Sequence, residues 1–267
     1  MLRSLKDLEG YNVNATDGEV GKVVDFLLDD ERWVIRYLVV QTGRVFLGGA
    51  RVLVSPISFQ PPQWADHTFP VNLTMERVKN SPSVDTDKPV SRQHERDLSG
   101  YYGYQSYWGS MQPWGIGMQP AMLAGPVVPS LPHAGDDTPE DVHLRSAREV
   151  RGYHVQGTDD SIGHIADFVV DDESWVVRYL VVDTRNWWFG KHVLIAPQWA
   201  TGVNWAERQV HVDMSRDAIK AGPAWNANDP VNRGYEARLY DYHGRPVYWA
   251  DANDGPLPVV RADRHPG

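Results

Sequence analysis

The chain has no cysteine among its 267 residues. That excludes disulfide staples, thiolate metal sites and cysteine nucleophiles, and it fits a reducing compartment. Long apolar runs are missing too: nothing approaches the ~18–20 residues that span a bilayer, so no membrane insertion is expected. Positive charge is scarce. With 26 Lys+Arg against 35 Asp+Glu the formal net charge is −9, which disfavours a phosphate backbone because that binding rests on basic side chains releasing counterions. Nucleic acid is therefore not an expected partner. The opening MLRSLKDLEGY lacks the basic, apolar and small-residue regions of a secretory signal, so a cytoplasmic location is expected. No G-x-S-x-G elbow, phosphate-cradling G-x-x-x-x-G-K-[ST] or G-x-G-x-x-G occurs, and neither an enzyme nor a cofactor is expected.

What the chain does have is repetition. Residues 10–42, GYNVNATDGEVGKVVDFLLDDERWVIRYLVVQT, return at 152–184 as GYHVQGTDDSIGHIADFVVDDESWVVRYLVVDT, with 19 of 33 positions identical. A self-match at one fixed offset marks a duplicated structural unit. Within each copy, short β-branched and aromatic runs bounded by Gly, Asp, Asn and Pro read as strands. In the first copy they fall near Tyr11–Ala15, Val20–Leu28, Trp33–Thr42, Ala50–Ser55 and Thr68–Leu73, enough for a small closed or sandwiched antiparallel sheet. A short helix opened by Thr74 or Ser215 and stopped by Pro82 or Pro223 should follow each sheet.

The duplication runs on. Arg92, Glu95, Leu98, Tyr101, Gly103, Tyr107 and Trp108 recur as Arg233, Glu236, Leu239, Tyr242, Gly244, Tyr248 and Trp249, so each copy carries an aromatic tail. The expected division is a first β domain at 1–82, its tail at 83–108, a Gly/Pro/Met-rich flexible linker at 109–140, a second β domain at 141–223, and a second tail with the C-terminus at 224–267.

If residues 29–32 form a four-residue loop, the flanking strands pair so that Asp25 faces Arg36, and in the second copy Asp167 faces Arg178. Both hairpin faces are otherwise largely apolar, which predicts a second covering surface, either the other copy as an intramolecular pseudo-dimer or a second chain as a homo-oligomer. Further candidate interface residues are the apolar tips, Phe46 and Leu47 in one copy and Trp187, Trp188 and Phe189 in the other. The tail aromatics Tyr101, Tyr104, Trp108, Tyr242, Tyr248 and Trp249 complete the set. Histidines gather in the second copy, at His154, His164, His192, His211 and His243. Their first-copy counterparts are Asn12, Lys22, Arg51, Asn72 and Tyr102, so no shared metal-ligand set exists, and no metal site is expected. Asp29, Asp30 and Glu31 lack the spacing of a calcium loop and read as turn residues.

These motifs resemble the PRC-barrel family, which includes the cytoplasmic domain of the photosynthetic reaction centre H subunit and the C-terminal domain of the ribosome-maturation factor RimM. The residues carrying the likeness are Leu8-Glu9-Gly10-Tyr11, the run Gly21 to Phe26, the turn and strand Asp29 to Val40, and Val52 to Pro56. The second copy repeats them at Val150 to Tyr153, Gly163 to Phe168, Asp171 to Val182 and Val193 to Pro197, with Val150 for the opening Leu and Ala196 for Ser55. The resemblance implies a mainly β fold of two small tandem barrels. It also implies a non-enzymatic scaffold or adaptor acting on a protein partner in assembly or stress. The alternatives are a ribosome- or RNA-associated maturation factor, and a metal protein or enzyme using the second-copy histidines.

Overall fold

The computed structural model describes residues 1–43, 50–82, 90–108, 112–115, 117–124, 142–184, 192–226 and 229–249. Among the described residues there are fourteen strands: β1 (Leu2–Ser4), β2 (Asn12–Ala15), β3 (Gly18–Asp29), β4 (Val34–Thr42), β5 (Arg51–Val54), β6 (Thr68–Pro70), β7 (Val90–Ser91), β8 (Val142–Ser146), β9 (His154–Gln156), β10 (Ser161–Asp171), β11 (Val177–Asp183), β12 (His192–Ile195), β13 (Ala200–Asn204) and β14 (Gln209–Val212). Helices are short: α1 (Met75–Lys79), α2 (Arg92–Tyr102), α3 (Ala147–Val150), α4 (Arg216–Ala221) and α5 (Arg233–Tyr242). No helix among the described residues is long and apolar enough to cross a membrane.

Two compact units form, and they cut across the expected boundaries. The first comprises Lys6–Arg148 with Glu173–Val176; the second comprises Met1–Leu5, Glu149–Asp172 and Val177–Gly267. Each is built on one seven-stranded sheet. In the first unit the order is β5-β4-β3-β2-β6, with β8 pairing both β3 and β7. In the second it is β12-β11-β10-β9-β14-β13, with β1 pairing β10. Pairing is antiparallel, as the sequence implies, except that β2 runs parallel to β6 and β9 parallel to β14. Closure into barrels, the finer expectation, is not among the described strand pairings.

The long hairpins hold the cores. β4 is buried almost throughout, and Val13, Phe26, Leu28, Ile35, Leu38 and Phe69 are sealed from solvent in the first unit. An aromatic group fills its centre: Trp175 lies 5.3 Å from Phe59, 5.9 Å from Phe69 and 6.5 Å from Phe26 between ring centroids. The second unit is centred on Tyr153, Phe168, Tyr179 and Tyr240, with Trp199 against Tyr240 at 5.0 Å. Both hairpin turns pass through a left-handed tryptophan, Trp33 at φ 55° and Trp175 at φ 58°. A bulky residue rarely adopts that conformation, and the ~1–3 kcal/mol it costs is tolerated only where surrounding packing over-determines it.

The expected helices start where the sequence places them. Thr74 accepts from the Arg77 N–H, and Ser215 from the Ala218 N–H. The tails hold two helices that composition did not reveal, α2 and α5, capped by Ser91 and Asn232. The stretch expected as a flexible linker is in its described part partly packed, for Pro113, Trp114, Pro120 and Leu123 are buried.

Candidate functional site

The hairpin pairing differs from the sequence expectation, and the difference creates the site. Asp29 pairs with Val34 in register, so the loop spans 30–33, one residue later than the expected 29–32. Bulges then fall between Val23 and Asp25 and between Leu27 and Leu28. Asp25 consequently faces Val39 rather than Arg36, and Arg36 is left as the extra residue between Ile35 and Tyr37. The second copy keeps both irregularities: Asp167 faces Val181, and Arg178 is skipped between Val177 and Tyr179. Bulges re-aim side chains out of the pleat's alternation. Each presumed Asp/Arg pair is thereby split into two separate constellations.

Arg36 turns to Asp29, a partner the sequence pairing missed. Its Nε and one terminal nitrogen donate to Asp29 Oδ2 at 3.1 and 2.7 Å, and the other terminal nitrogen donates to the Pro113 carbonyl. Both side chains are essentially sealed, at 0% and 1% exposure. The guanidinium lies 3.6 Å over the Tyr107 ring and 4.8 Å from that of Trp114, a cation–π clamp. Burial alone would raise the Asp29 carboxyl, but the charge and hydrogen bonds of Arg36 outweigh it and hold the group below the usual carboxylate range. Asp29 Oδ1 also accepts the Glu31 and Arg32 N–H groups at 3.1 and 3.0 Å, which fixes the turn.

The clamp continues through the tail. The Tyr107 hydroxyl donates to Glu95 of α2 and accepts from Arg92 at 2.9 Å, while Arg92 also reaches Glu95 at 3.3 Å. Burial, opposed by Arg92 and the Tyr107 hydrogen bond, pushes the Glu95 carboxyl up to about 7. Its second oxygen, Oε1, has no hydrogen-bond partner. The second unit repeats the arginine–tyrosine–glutamate part of this geometry, although Arg178 Nε has no hydrogen-bond partner there. Arg178 lies 4.0 Å over the Tyr248 ring; Tyr248 donates to Glu236 of α5 at 2.8 Å and accepts from Arg233 at 3.2 Å. Arg233 reaches Glu236 at 3.1 Å and lies 4.1 Å from the Trp249 ring. Tyr179 adds a bond to Glu236 at 2.9 Å.

Asp25 and Asp167 serve the other constellation, on the strand edge. β2 covers the first half of β3, and β8 pairs with the last part, Leu27 to Asp29. There Ser146 donates to Asp25 and Arg145 to Asp30 at 2.8 Å, with the Arg148 N–H also on Asp25 at 3.1 Å. In the second unit β1 pairs with Val169 to Asp171 of β10, Ser4 donates to Asp167, and Arg3 donates to Asp172 at 2.7 Å. The donors belong to one tripeptide present twice, Leu2-Arg3-Ser4 and Leu144-Arg145-Ser146. That recurrence, at the same spacing as the main repeat, is the sequence signal that marks these strands.

The remaining candidates scatter around these clusters. Trp108 packs on Tyr107 and lies 5.5 Å from Arg92. Tyr101 donates to the Arg77 carbonyl at 2.8 Å, and Tyr104 stacks on Tyr102 at 5.4 Å. Tyr242 is exposed beside His243. Phe46, Leu47, Trp187, Trp188 and Phe189 lie outside the described residues. Of the histidines, His164 and His192 flank buried Asp183 on adjacent strands, with Nε2 atoms 3.9 and 4.0 Å from its Oδ2. No group of three or more His, Asp or Glu among the described residues is placed to hold a metal.

Comparison with known proteins agrees with the β-rich fold. A PRC-barrel domain is found at residues 143–219, which runs from within β8 to within α4. No curated protein matches the chain.

Proposed function

We propose that this chain is a non-enzymatic scaffold or adaptor, built from two PRC-type barrels in tandem and acting on a protein partner in assembly or stress. The observation that carries the reading is what the polar groups packed around buried Glu95 and Glu236 do. Asp29, Arg36, Arg92, Glu95 and Tyr107 are spent on one another, holding a tail segment and a helix to a hairpin, and Arg178, Arg233, Glu236 and Tyr248 do the same in the second unit. Catalytic groups would instead face a space that a reactant enters. A duplicated clamp is what a rigid platform needs, because docking on a preordered surface costs less conformational entropy. The duplication of residues 10–42 and the PRC-barrel match at 143–219 support reading the first copy as the same domain.

Affinity purification of the tagged full chain from native lysate tests this. Recovery of one or a few proteins in stoichiometric amount, lost on substitution of exposed residues but retained after nuclease treatment, is the expected result. Ribosomal particles in the eluate would replace the adaptor reading with the maturation-factor one. Stoichiometric zinc or iron in the purified protein would replace it with a metal-centred one.

A further inference from the structure

The strand-edge constellation is a recognition site in its own right. Each hairpin edge receives an extended Leu-Arg-Ser segment by antiparallel backbone pairing, which is strand addition: main-chain bonds hold the peptide and side-chain contacts choose it. The choice is made by two carboxylates five residues apart. Asp25 and Asp167 take the serine hydroxyl, and Asp30 and Asp172 take the arginine Nε. Arg145 and Arg3 are mostly covered, and Asp30 and Asp172 nearly so, so an unmatched strand would leave a poorly solvated carboxylate without its cation.

The same tripeptide meets the same acidic pair twice, so the two strands are interchangeable. Each strand, moreover, is supplied by the copy whose own hairpin it does not join. β1 precedes the first repeat and completes the sheet of the second unit; β8 precedes the second repeat and completes that of the first. A site that already accepts its strand from elsewhere in the sequence has no chemical means of telling which molecule supplied it. We infer that the edges of β3 and β10 are recognition sites for an extended Leu-Arg-Ser strand, and that a second copy of this chain supplies it in trans, giving strand-exchanged dimers. Within one molecule the effective concentration of the strand favours the closed monomer, so the dimer grows with chain concentration at the moment of folding. This stands on the strand pairings alone and not on the adaptor reading.

The absence of native cysteine gives a clean test. Ser4 and Val169 are directly paired, and directly paired strand positions approach closely enough for a disulfide. Full-length S4C and V169C chains, each with one thiol, are unfolded together, refolded over a range of concentrations and oxidised mildly. A covalent heterodimer whose yield rises severalfold for a tenfold rise in concentration is expected, and adding R3M to the S4C chain, so that the incoming strand alone lacks the arginine that meets Asp172, should lower that yield severalfold. The doubly substituted S4C/V169C chain reports the pairing itself and should lock as a monomer at high dilution. If the double variant locks while the mixed single variants give no heterodimer at any concentration, exchange in trans is overturned. Failure of the double variant to lock overturns the recognition site as well. A heterodimer yield indifferent to R3M in the S4C chain overturns the side-chain reading.

Discussion

Replacing Arg36 by Met keeps the length and apolar stem of the side chain and removes its charge. In the folded chain that change strands the Asp29 carboxylate, which loses bonds of 3.1 and 2.7 Å at Oδ2, deprives the Pro113 carbonyl of a donor, and ends the cation–π contact with Tyr107. Breaking a buried pair from one side costs about 3–5 kcal/mol. The lower end applies here, because Asp29 Oδ1 keeps its two backbone donors at the turn, so a loss of about 3 kcal/mol is expected. For a domain of roughly 150–250 residues each kcal/mol moves the midpoint by about 2–4 °C. Thermal melts followed by circular dichroism should therefore fall by about 6–12 °C. Arg245 with Asp213 provides the contrast, since both are substantially exposed and the pair is worth about 0–1 kcal/mol. Arg245→Met should shift the melt by no more than a few degrees. The double change Asp29→Asn with Arg36→Met should recover part of the loss, since no bare charge then stays buried. A shift for Arg36→Met as small as that for Arg245→Met would refute the buried-clamp account.

Three other outcomes are expected. The Glu95 carboxyl stands at about 7 in the folded chain against an ordinary 4.5. Its folded-state value is raised, so the stability it contributes is complete below about pH 4.5 and is lost as pH climbs through about 7, a difference on the order of 3 kcal/mol. Urea unfolding of the native chain should weaken over that window, and Glu95→Gln should flatten the dependence; an unchanged slope would exclude Glu95 as its source. Trp175→Ala empties the aromatic centre formed with Phe26, Phe59 and Phe69 and should cost about 3–5 kcal/mol in chemical denaturation, whereas Trp175→Phe should cost clearly less. Gly21 and Gly163 have no room for a methyl group, because a Cβ on either would lie 2.0 Å from the carbonyl oxygen of Gln41 or Asp183. Alanine at either position should destabilise by more than the ~1–3 kcal/mol of ordinary overpacking, read as loss of soluble protein or a collapsed melting curve.

The strands were legible in the sequence because their apolar runs and turn residues obey local rules, and β3, β4 and β5 lie within a few residues of where those runs place them. Register was not. The bulges that skip Val24 and Arg36 leave no trace in the alternation of apolar residues, and without them Asp25 is assigned to Arg36, although Asp29 is its partner. Helices α2 and α5 were hidden for another reason: their Tyr, Arg, His and Gln content reads as an aromatic tail, and the caps at Ser91 and Asn232 are visible only as isolated polar residues. The Leu-Arg-Ser repeat was legible in principle, yet a three-residue match falls below notice until the pairing of β1 with β10 and of β8 with β3 gives it meaning.

The discontinuous make-up of the second unit also constrains folding during synthesis. β1 leaves the ribosome long before β10, its pairing partner, has been made. At ~5–20 residues per second that interval is roughly ten to thirty seconds. The first repeat can gather only part of its core in that time, because its hairpin edge waits for β8 and its aromatic centre for Trp175. Both sheets are therefore completed by contacts distant in sequence, and their last steps belong to the slow end of folding, where loop closure precedes any reward. Until then Leu2, Arg3 and Ser4 form an unpaired segment on a nascent chain, which chaperones or a neighbouring nascent chain on the same message would meet first.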